Sequence, residues 1–591
     1  MRGWRHALML AIALLPVAGT AAAAKHPLRG RESADARLRA LYTAEYEWRR
    51  RQEAANEDSG PGAPRGLPDV GPAAQAARLD RWTRTATALA AIPVADLSPA
   101  ERVNRAVYKG QIDALLAAQR FREYEKPLNA DSSFWGDVAE AARQPFASEA
   151  DYRGYLAMLH DVPRYYEQQI ANMRAGLKRG FTPARVTLEG RDAGVAQVVE
   201  AKSVDASPFY APFRSFPATI PAATQAALRA EATAVIRDAV VPAHARLLAF
   251  LRGEYMPGAR TTLAAFDLPD GRAYYQSKLA EFTTLDQTPE QVHRIGLAEM
   301  ARIRGRMQQV MTQVGFKGDL PAFLRFLRTD PRFYATTPQA LLDRAAWIAK
   351  TFDGKAARFF GRLPRSRFAI RPVPDEIAPF YTGGRGGPGI YLVNTWNLPA
   401  RPLYSLPALT LHESAPGHAF QMPLAAENRA LPAFRRDTYL SVYGEGWALY
   451  CEALGEEMGM YETPYELFGM LSYQAWRASR LVVDTGIHAM GWSREQAQAY
   501  LRENTALADH EIVTEVDRYI AWPGQAVSYY TGELAILAAR RRAERALGAK
   551  FDIRAFHDAI LSLGSVPLSE IDRRVDRLIV EGGKGPYRQE D

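Results

Sequence analysis

PALTLHESAPGHAFQMPLA, residues 407–425, followed after a short spacer by YLSVYGEGWALYCEALGEE, residues 439–457, is the stretch on which the reading of this chain turns. It sets His412 and Glu413 side by side, adds a second imidazole at His418, and carries Glu445 and Glu452 on a segment of helical character. Two imidazoles and a carboxylate are the ligand set that suits a hydrolytic zinc, and a carboxylate beside the first histidine is where such a site keeps its base. The expectation is a metallopeptidase-type site. His412, His418 and Glu445 are the predicted zinc ligands, Glu413 the general base, and Glu452 a carboxylate that steadies a ligand from behind.

The spacing sets a condition on that reading. In H-E-x-x-H the two histidines are four apart and share a helix face. Here they are six apart, about 600° of ideal helical turn, which would aim them roughly 120° apart. Pro416 and Gly417 lie between them. Proline cannot donate the helical hydrogen bond back to the carbonyl of His412, and Gly417 tolerates unusual dihedrals, a positive φ among them. A break at Pro416–Gly417 is therefore predicted, swinging His418 back toward His412. Glu445 and Glu452 are seven apart, close to two turns, and share a helix face. Two solvated glutamates on an amphipathic helix would show the same spacing. The neighbours Gly444, Gly446, Trp447, Leu449, Tyr450 and Cys451 are small or apolar, so at least one carboxylate is expected to be buried and partnered.

HESAPGHAFQ (412–421), EGWALYCE (445–452), RLVVDTGIH (480–488) and RYIAWPGQAVSYYTG (518–532) together resemble the bacterial family known as domain of unknown function 885. The resemblance covers nearly the whole chain after its first residues. That family is similar to the helical zinc peptidases of the thimet oligopeptidase, angiotensin-converting enzyme and carboxypeptidase Taq type. It implies a mainly α, large multi-helix zincin-like architecture with a deep cleft and a small β-hairpin or sheet beside the metal. The chain departs from those peptidases in the two extra residues between its histidines.

The chain has 591 residues, enough for a large core. Residues 1–24, MRGWRHALMLAIALLPVAGTAAAA, place Arg2 and Arg5 before an apolar run and a small-residue end, the pattern of a cleaved signal peptide. No cysteine lies near the cut, so no lipid anchor is expected, and no other stretch is apolar enough to span a membrane. A periplasmic or secreted protein follows. Residues 25–591 are expected to form one helical domain, with two helical halves around a cleft. Cys451 is the only cysteine and is expected to be a small buried thiol rather than a nucleophile. The net charge of +8 comes from interspersed charges and gives no argument for nucleic acid.

Periodicity predicts helices over 34–55, 98–124, 149–178, 226–251 and from 288 to about 311, with Pro163 a candidate kink and Gly180 a candidate stop. EDSGPGAPRGLPDVGP, 57–72, reads as an exposed loop. Residues 368–397 change texture, with β-branched and aromatic residues and the run GGRGGPG at 383–389. A hairpin or small sheet is predicted, with 389–395 as a strand. GGRGGPG lacks the G-K-[ST] ending of a phosphate loop. The resemblance implies instead that Gly389, Tyr391 and Asn394 belong to a sheet edge that pairs with the substrate backbone. An ordinary hairpin would have the same sequence.

Arg480, Asp484 and His488 follow at i, i+4 and i+8 on one helix side. At this spacing Asp484 can orient His488, and a structural role is the commoner reading of such a lone histidine; its place in the family-like motif implies instead that His488, with Arg480, lines the cleft. Tyr519, Tyr529 and Tyr530 lie in a glycine-flanked segment similar to the tyrosine-rich one of the helical zinc peptidases, and the resemblance implies a phenol that donates to the developing oxyanion, with Tyr529 the expected one. The expected reaction is hydrolysis of short peptides. Zinc would lower the pKa of a bound water, Glu413 would shuttle its proton to the leaving amine, and Tyr529, with His488, would meet the oxyanion. Two other functions fit the same residues: an inactive exported peptide-binding protein, and a metal-dependent hydrolase of a non-peptide amide or ester. Oligomeric state is not legible in the sequence.

Overall fold

A hydroxyl residue followed by proline marks four helix starts, and each hydroxyl caps its helix by accepting from the backbone N–H three residues on: Ser98 from Glu101, Thr288 from Gln291, Thr337 from Ala340 and Thr463 from Glu466. The computed structural model describes residues 33–52, 66–130, 132–375 and 378–585. The predicted signal peptide, residues 1–24, and the first part of the predicted loop at 57–72 lie outside them. The architecture is mainly α with one small sheet.

In chain order, the helices that frame the site begin with α1 (Ala34–Arg50), α2 (Pro99–Phe121), α3 (Glu149–Arg179) and α4 (Pro289–Gln313). α2 stops three residues before its predicted end because Arg122 adopts a left-handed conformation, φ 56°. α3 carries Pro163 in its interior and is closed by Gly180 at φ 78°, as its sequence predicts. The helix predicted over 226–251 starts at Ala222 and continues to Gly258 through two wide turns, Ile236–Val240 and Leu251–Tyr255.

The sheet comprises β1 (Ala369–Pro372), β2 (Gly384–Gly387) and β3 (Ile390–Val393) in the order β1-β3-β2, with β3 parallel to β1 and antiparallel to β2. The predicted strand is present. Its predicted place at the sheet's edge is not: β3 is central, with Tyr391 paired to Ile370 on one side and Gly386 on the other.

The chain then returns to helix with α5 (Leu406–Glu413), α6 (His418–Glu427), α7 (Ser441–Glu457), α8 (Pro464–Met490), α9 (Asp509–Ala521) and α10 (Ser528–Leu547). α4 packs along α8, and α7 packs along α10. The second contact is close because a glycine stands on each side: a Cβ at Gly446 would lie 2.5 Å from the Cα of Gly532. One apolar core joins α1 and α2 to α7 and to the last helices of the chain through Tyr42, Tyr108, Phe434, Trp447 and Ile560. A second fills residues 128–259, built on the Tyr152, Leu159, Tyr166 and Ile170 stripe of α3. A third lies under α4, α8 and α10. No helix among the described residues is long and apolar enough to cross a membrane.

Candidate metal centre

The six residues from His412 to His418 do not share a helix. α5 closes at Glu413, α6 opens at His418, and Ser414–Gly417 form the turn between them. Proline at 416 has no N–H to return to the carbonyl of His412, and the chain folds back over that carbonyl instead. A Cβ on Gly417 would lie 1.8 Å from His412 O, so only glycine fits there. Its φ is −76°, which corrects the expectation of a positive φ: the requirement is space, not a left-handed backbone. The hydroxyl of Ser414 donates to Thr410 O at 2.6 Å, and the indole of the fully buried Trp447 donates to Pro416 O at 2.8 Å. The outcome is a pair of imidazoles with centroids 4.9 Å apart and planes at 86°.

Glu445 reaches this pair from α7. Its Oε2 lies 3.4 Å from His412 Nε2 and 3.3 Å from His418 Nε2, and the ligand atoms of the three residues all lie within 4.8 Å of one another. Charge-assisted N–H···O⁻ hydrogen bonds run at about 2.7–2.9 Å. Two ligand atoms on a tetrahedral zinc, each about 2.0–2.2 Å from the ion, stand about 3.4 Å apart. The observed separations match the edges of a metal polyhedron and are long for hydrogen bonds. The donor set fits zinc in type, and its two carboxylate–imidazole separations fit in spacing.

The groups behind these three side chains are fixed in turn. Glu452, two turns along α7 and fully buried, accepts from His412 Nδ1 at 2.7 Å, which leaves Nε2 turned toward Glu445. The amide of Gln421 lies 3.0 Å from His418 Nδ1 and donates to Gly444 O at 2.9 Å. Tyr439 donates its hydroxyl to the other oxygen of Glu445, Oε1, at 2.9 Å. Glu413 is half-buried beside the ligands, and its Oε2 accepts the N–H of Gly386 at 2.7 Å. β2 lies against this turn so closely that a Cβ on Gly386 would stand 1.6 Å from Glu413 O.

Three carboxylates, Glu413, Glu445 and Glu452, converge here against one guanidinium, Arg477, whose Nη2 lies 3.4 Å from Glu452 Oε1. With neutral imidazoles the cluster carries two uncompensated negative charges, which a dication would neutralise. Without metal, His412 can supply positive charge. Burial alone would lower the pKa of His412, but the neighbouring carboxylates of Glu445 and Glu452 outweigh it and raise it to about 10. Burial likewise opposes ionisation of Glu445, yet the two imidazoles hold its pKa well below the usual carboxylate range.

A family model for bacterial proteins of unknown function, DUF885, matches residues 56–575. The chain belongs to the DUF885 family. Among solved structures, this DUF885 chain is similar to a candidate lipoprotein from Colwellia psychrerythraea at 27% identity and a TM-score of 0.85, over 93% of this chain and 100% of that one. It is similar in fold to a candidate lipoprotein of unknown function from Shewanella oneidensis at 17% identity and a TM-score of 0.64, over 93% of this chain and 100% of that one. An M32 carboxypeptidase from Deinococcus radiodurans R1 aligns at 14% identity and a TM-score of 0.28, over 86% of this chain and 100% of that one, a level from which no shared arrangement is drawn. Comparison with curated proteins finds no match.

The structure places the remaining predicted residues of this DUF885 chain less uniformly. Tyr529 is 8% exposed and lies within electrostatic reach of the Tyr439 phenol that holds Glu445; Arg518 donates to its hydroxyl at 3.3 Å, and the guanidinium of Arg480 lies 4.2 Å over its ring. Tyr530 points away, bonded to Glu299 and Arg302 of α4. His488 does not line a cleft. It is fully buried, its Nδ1 accepts from Ala265 N–H at 3.0 Å, its Nε2 lies 2.9 Å from Tyr519 O, and burial lowers its pKa to about 3. Asp484 does not orient it, since that carboxylate accepts from Tyr275 and Gly524. Arg480 is buried in an ion pair with Glu515 at 2.8 Å. Helical spacing showed that these three share a side of α8; it could not show that the side faces the protein interior.

The sheet residues are also corrected. Gly389 is an exposed turn residue at φ 82°, Tyr391 is fully buried with its hydroxyl 3.3 Å from that of Thr410, and the amide of Asn394 donates to the carbonyls of Ala378, Tyr381 and Thr382. None of them offers an edge to a substrate. The residue of the sheet that meets the site is Gly386. Tyr439, Gln421, Gly386 and Arg477 contact this cluster, and the sequence reading missed them. Tyr439 opens the quoted motif, but no spacing rule singles out a residue just ahead of a helix.

Proposed function

We propose that this protein is an exported zinc-dependent hydrolase of short peptides. The observation that carries the reading is the position of Glu445 Oε2, 3.4 and 3.3 Å from the two imidazole Nε2 atoms, with Glu413 next in sequence to His412 as a carboxylate outside that set. His412, His418 and Glu445 would hold the ion. When bound there, zinc lowers the pKa of a coordinated water to near neutrality.

Glu413 is the general base. Its Oε2 is anchored by the Gly386 N–H, so its other oxygen takes the proton of the attacking water and returns it to the leaving amine. Glu452 holds the Nδ1 proton of His412 and keeps Nε2 free as a ligand. Tyr529 faces the negative charge that develops on the carbonyl oxygen. The described residues would act as one helical domain, with two halves around a cleft that admits the peptide. Export rests on the signal-like residues 1–24 and agrees with a lipoprotein description of the two similar solved proteins. The test is a digest of a peptide library by the zinc-loaded protein and by Glu413→Gln. Cleavage by the first alone supports the reading, and hydrolysis confined to esters or non-peptide amides would reassign the substrate.

A further inference from the structure

Tyr439 is 45% exposed, yet its hydroxyl is not free: it donates to Glu445 Oε1 at 2.9 Å, and its ring lies 6.4 Å from that of His418. The ring is seated over the first turn of α7, where Gly444 leaves the space. A Cβ on Gly444 would lie 2.3–2.6 Å from three atoms of the Tyr439 ring, among them its hydroxyl oxygen. The two oxygens of Glu445 are thereby given different partners. Oε1 is engaged by the phenol, and Oε2 alone stands between the two imidazole nitrogens.

We propose that Tyr439 is a positioning residue for the metal, whose hydroxyl occupies Oε1 of Glu445 so that the carboxylate offers Oε2 as a single ligand atom. This rests on the zinc reading of the site. A carboxylate can bind an ion through one oxygen or both, and the choice sets how many positions stay open for water and substrate. Groups that fix a ligating carboxylate from behind typically contribute about ten- to a hundred-fold in metal affinity or activity. A phenol at the mouth of the site can do this without occupying a coordination position.

Two variants test it by different routes. Tyr439→Phe removes the hydroxyl and keeps the ring; Gly444→Ala keeps the hydroxyl and displaces the ring. Metal-stripped protein is titrated with zinc against a chelating indicator. Both variants are expected to bind about ten- to a hundred-fold more weakly than wild type, with the melting temperature of the metal-free protein unchanged for Tyr439→Phe. Cobalt(II)-loaded Tyr439→Phe is expected to absorb more weakly in the visible than cobalt(II)-loaded wild type, because a released Oε1 raises the coordination number. Wild-type zinc affinity and cobalt spectrum in Tyr439→Phe would overturn the inference while leaving the zinc site intact. If Tyr439→Phe does not fold, wild-type affinity in Gly444→Ala overturns it. A wild type that binds no zinc would overturn the functional reading itself, and this inference with it.

Discussion

Glu452 Oε1 lies 2.7 Å from His412 Nδ1, and both side chains are almost wholly buried. The carboxylate fixes the imidazole with Nε2 turned to Glu445, so Glu452 sets the orientation of His412 from behind. Glu452→Gln should keep the shape and lose the charge that favours the Nδ1 proton. Zinc affinity is expected to fall by about ten- to a hundred-fold, measured by competition with a chelating indicator. Affinity equal to wild type would show that His412 needs no such support.

The turn between α5 and α6 should be intolerant of any side chain at Gly417. Gly417→Ala puts a methyl 1.8 Å from His412 O, and relieving that clash must pull the two histidines apart. The expected outcome is a protein that folds with a lower melting temperature and does not retain zinc through dialysis. Full zinc occupancy in Gly417→Ala would mean that the turn relaxes without moving His418.

Trp447 anchors the same turn from α7. Trp447→Phe leaves Pro416 O without its donor in a buried setting, at a cost of about 1–3 kcal/mol for the unpaired carbonyl. Urea unfolding should register that loss. A stability equal to wild type would show that water reaches the carbonyl.

The grouping of His412, His418 and Glu445 was readable from the sequence because their residue types and motif stand out, and the break was readable because Pro416 cannot continue a helix through His412. Tyr439 was not readable, since its role depends on the seat that Gly444 makes across the start of α7. His488 misled for a related reason. Spacing of i and i+4 along α8 put it beside Asp484 in sequence, while the fold gave its ring to Ala265 and Tyr519. The strand at Ile390–Val393 was evident from its residue types, but strand order is set by β1, which adds to the far side of β3 and makes it central.

Acid should destabilise the fold through buried neutral histidines. Burial lowers the pKa of His244 to about 4, and of His488 and His557 to about 3, against 6.5 for the free side chain. Between those values the unfolded chain binds protons that the folded chain does not, so their contribution is complete above pH 6.5 and is lost as pH falls toward 3–4. Asp484, raised to about 7 by burial, acts in the opposite sense, its contribution falling as pH rises from about 4 to 7. Removing one histidine isolates its share. Unfolding of His557→Gln should show a pH slope shallower than wild type by up to about 1.4 kcal/mol per unit below pH 6.5. Parallel profiles would contradict the burial of a neutral ring there.

Tyr529 and His488 should now separate kinetically. Tyr529→Phe is expected to lower kcat by about 100-fold, roughly 3 kcal/mol, with KM little changed, since the hydroxyl meets charge only as it develops. His488→Gln should affect stability, and activity only through stability. A kinetic defect in His488→Gln at full folding, with none in Tyr529→Phe, would reverse these roles.

The most direct measurement pairs metal content with turnover in wild type and Glu413→Gln. Wild type should carry about one zinc per chain, lose peptide hydrolysis when a chelator removes it, and regain it on zinc addition. Glu413→Gln should hold the same zinc and show no turnover, because only the base is gone. Peptide hydrolysis by metal-free wild type, or wild-type activity in zinc-loaded Glu413→Gln, would contradict the account.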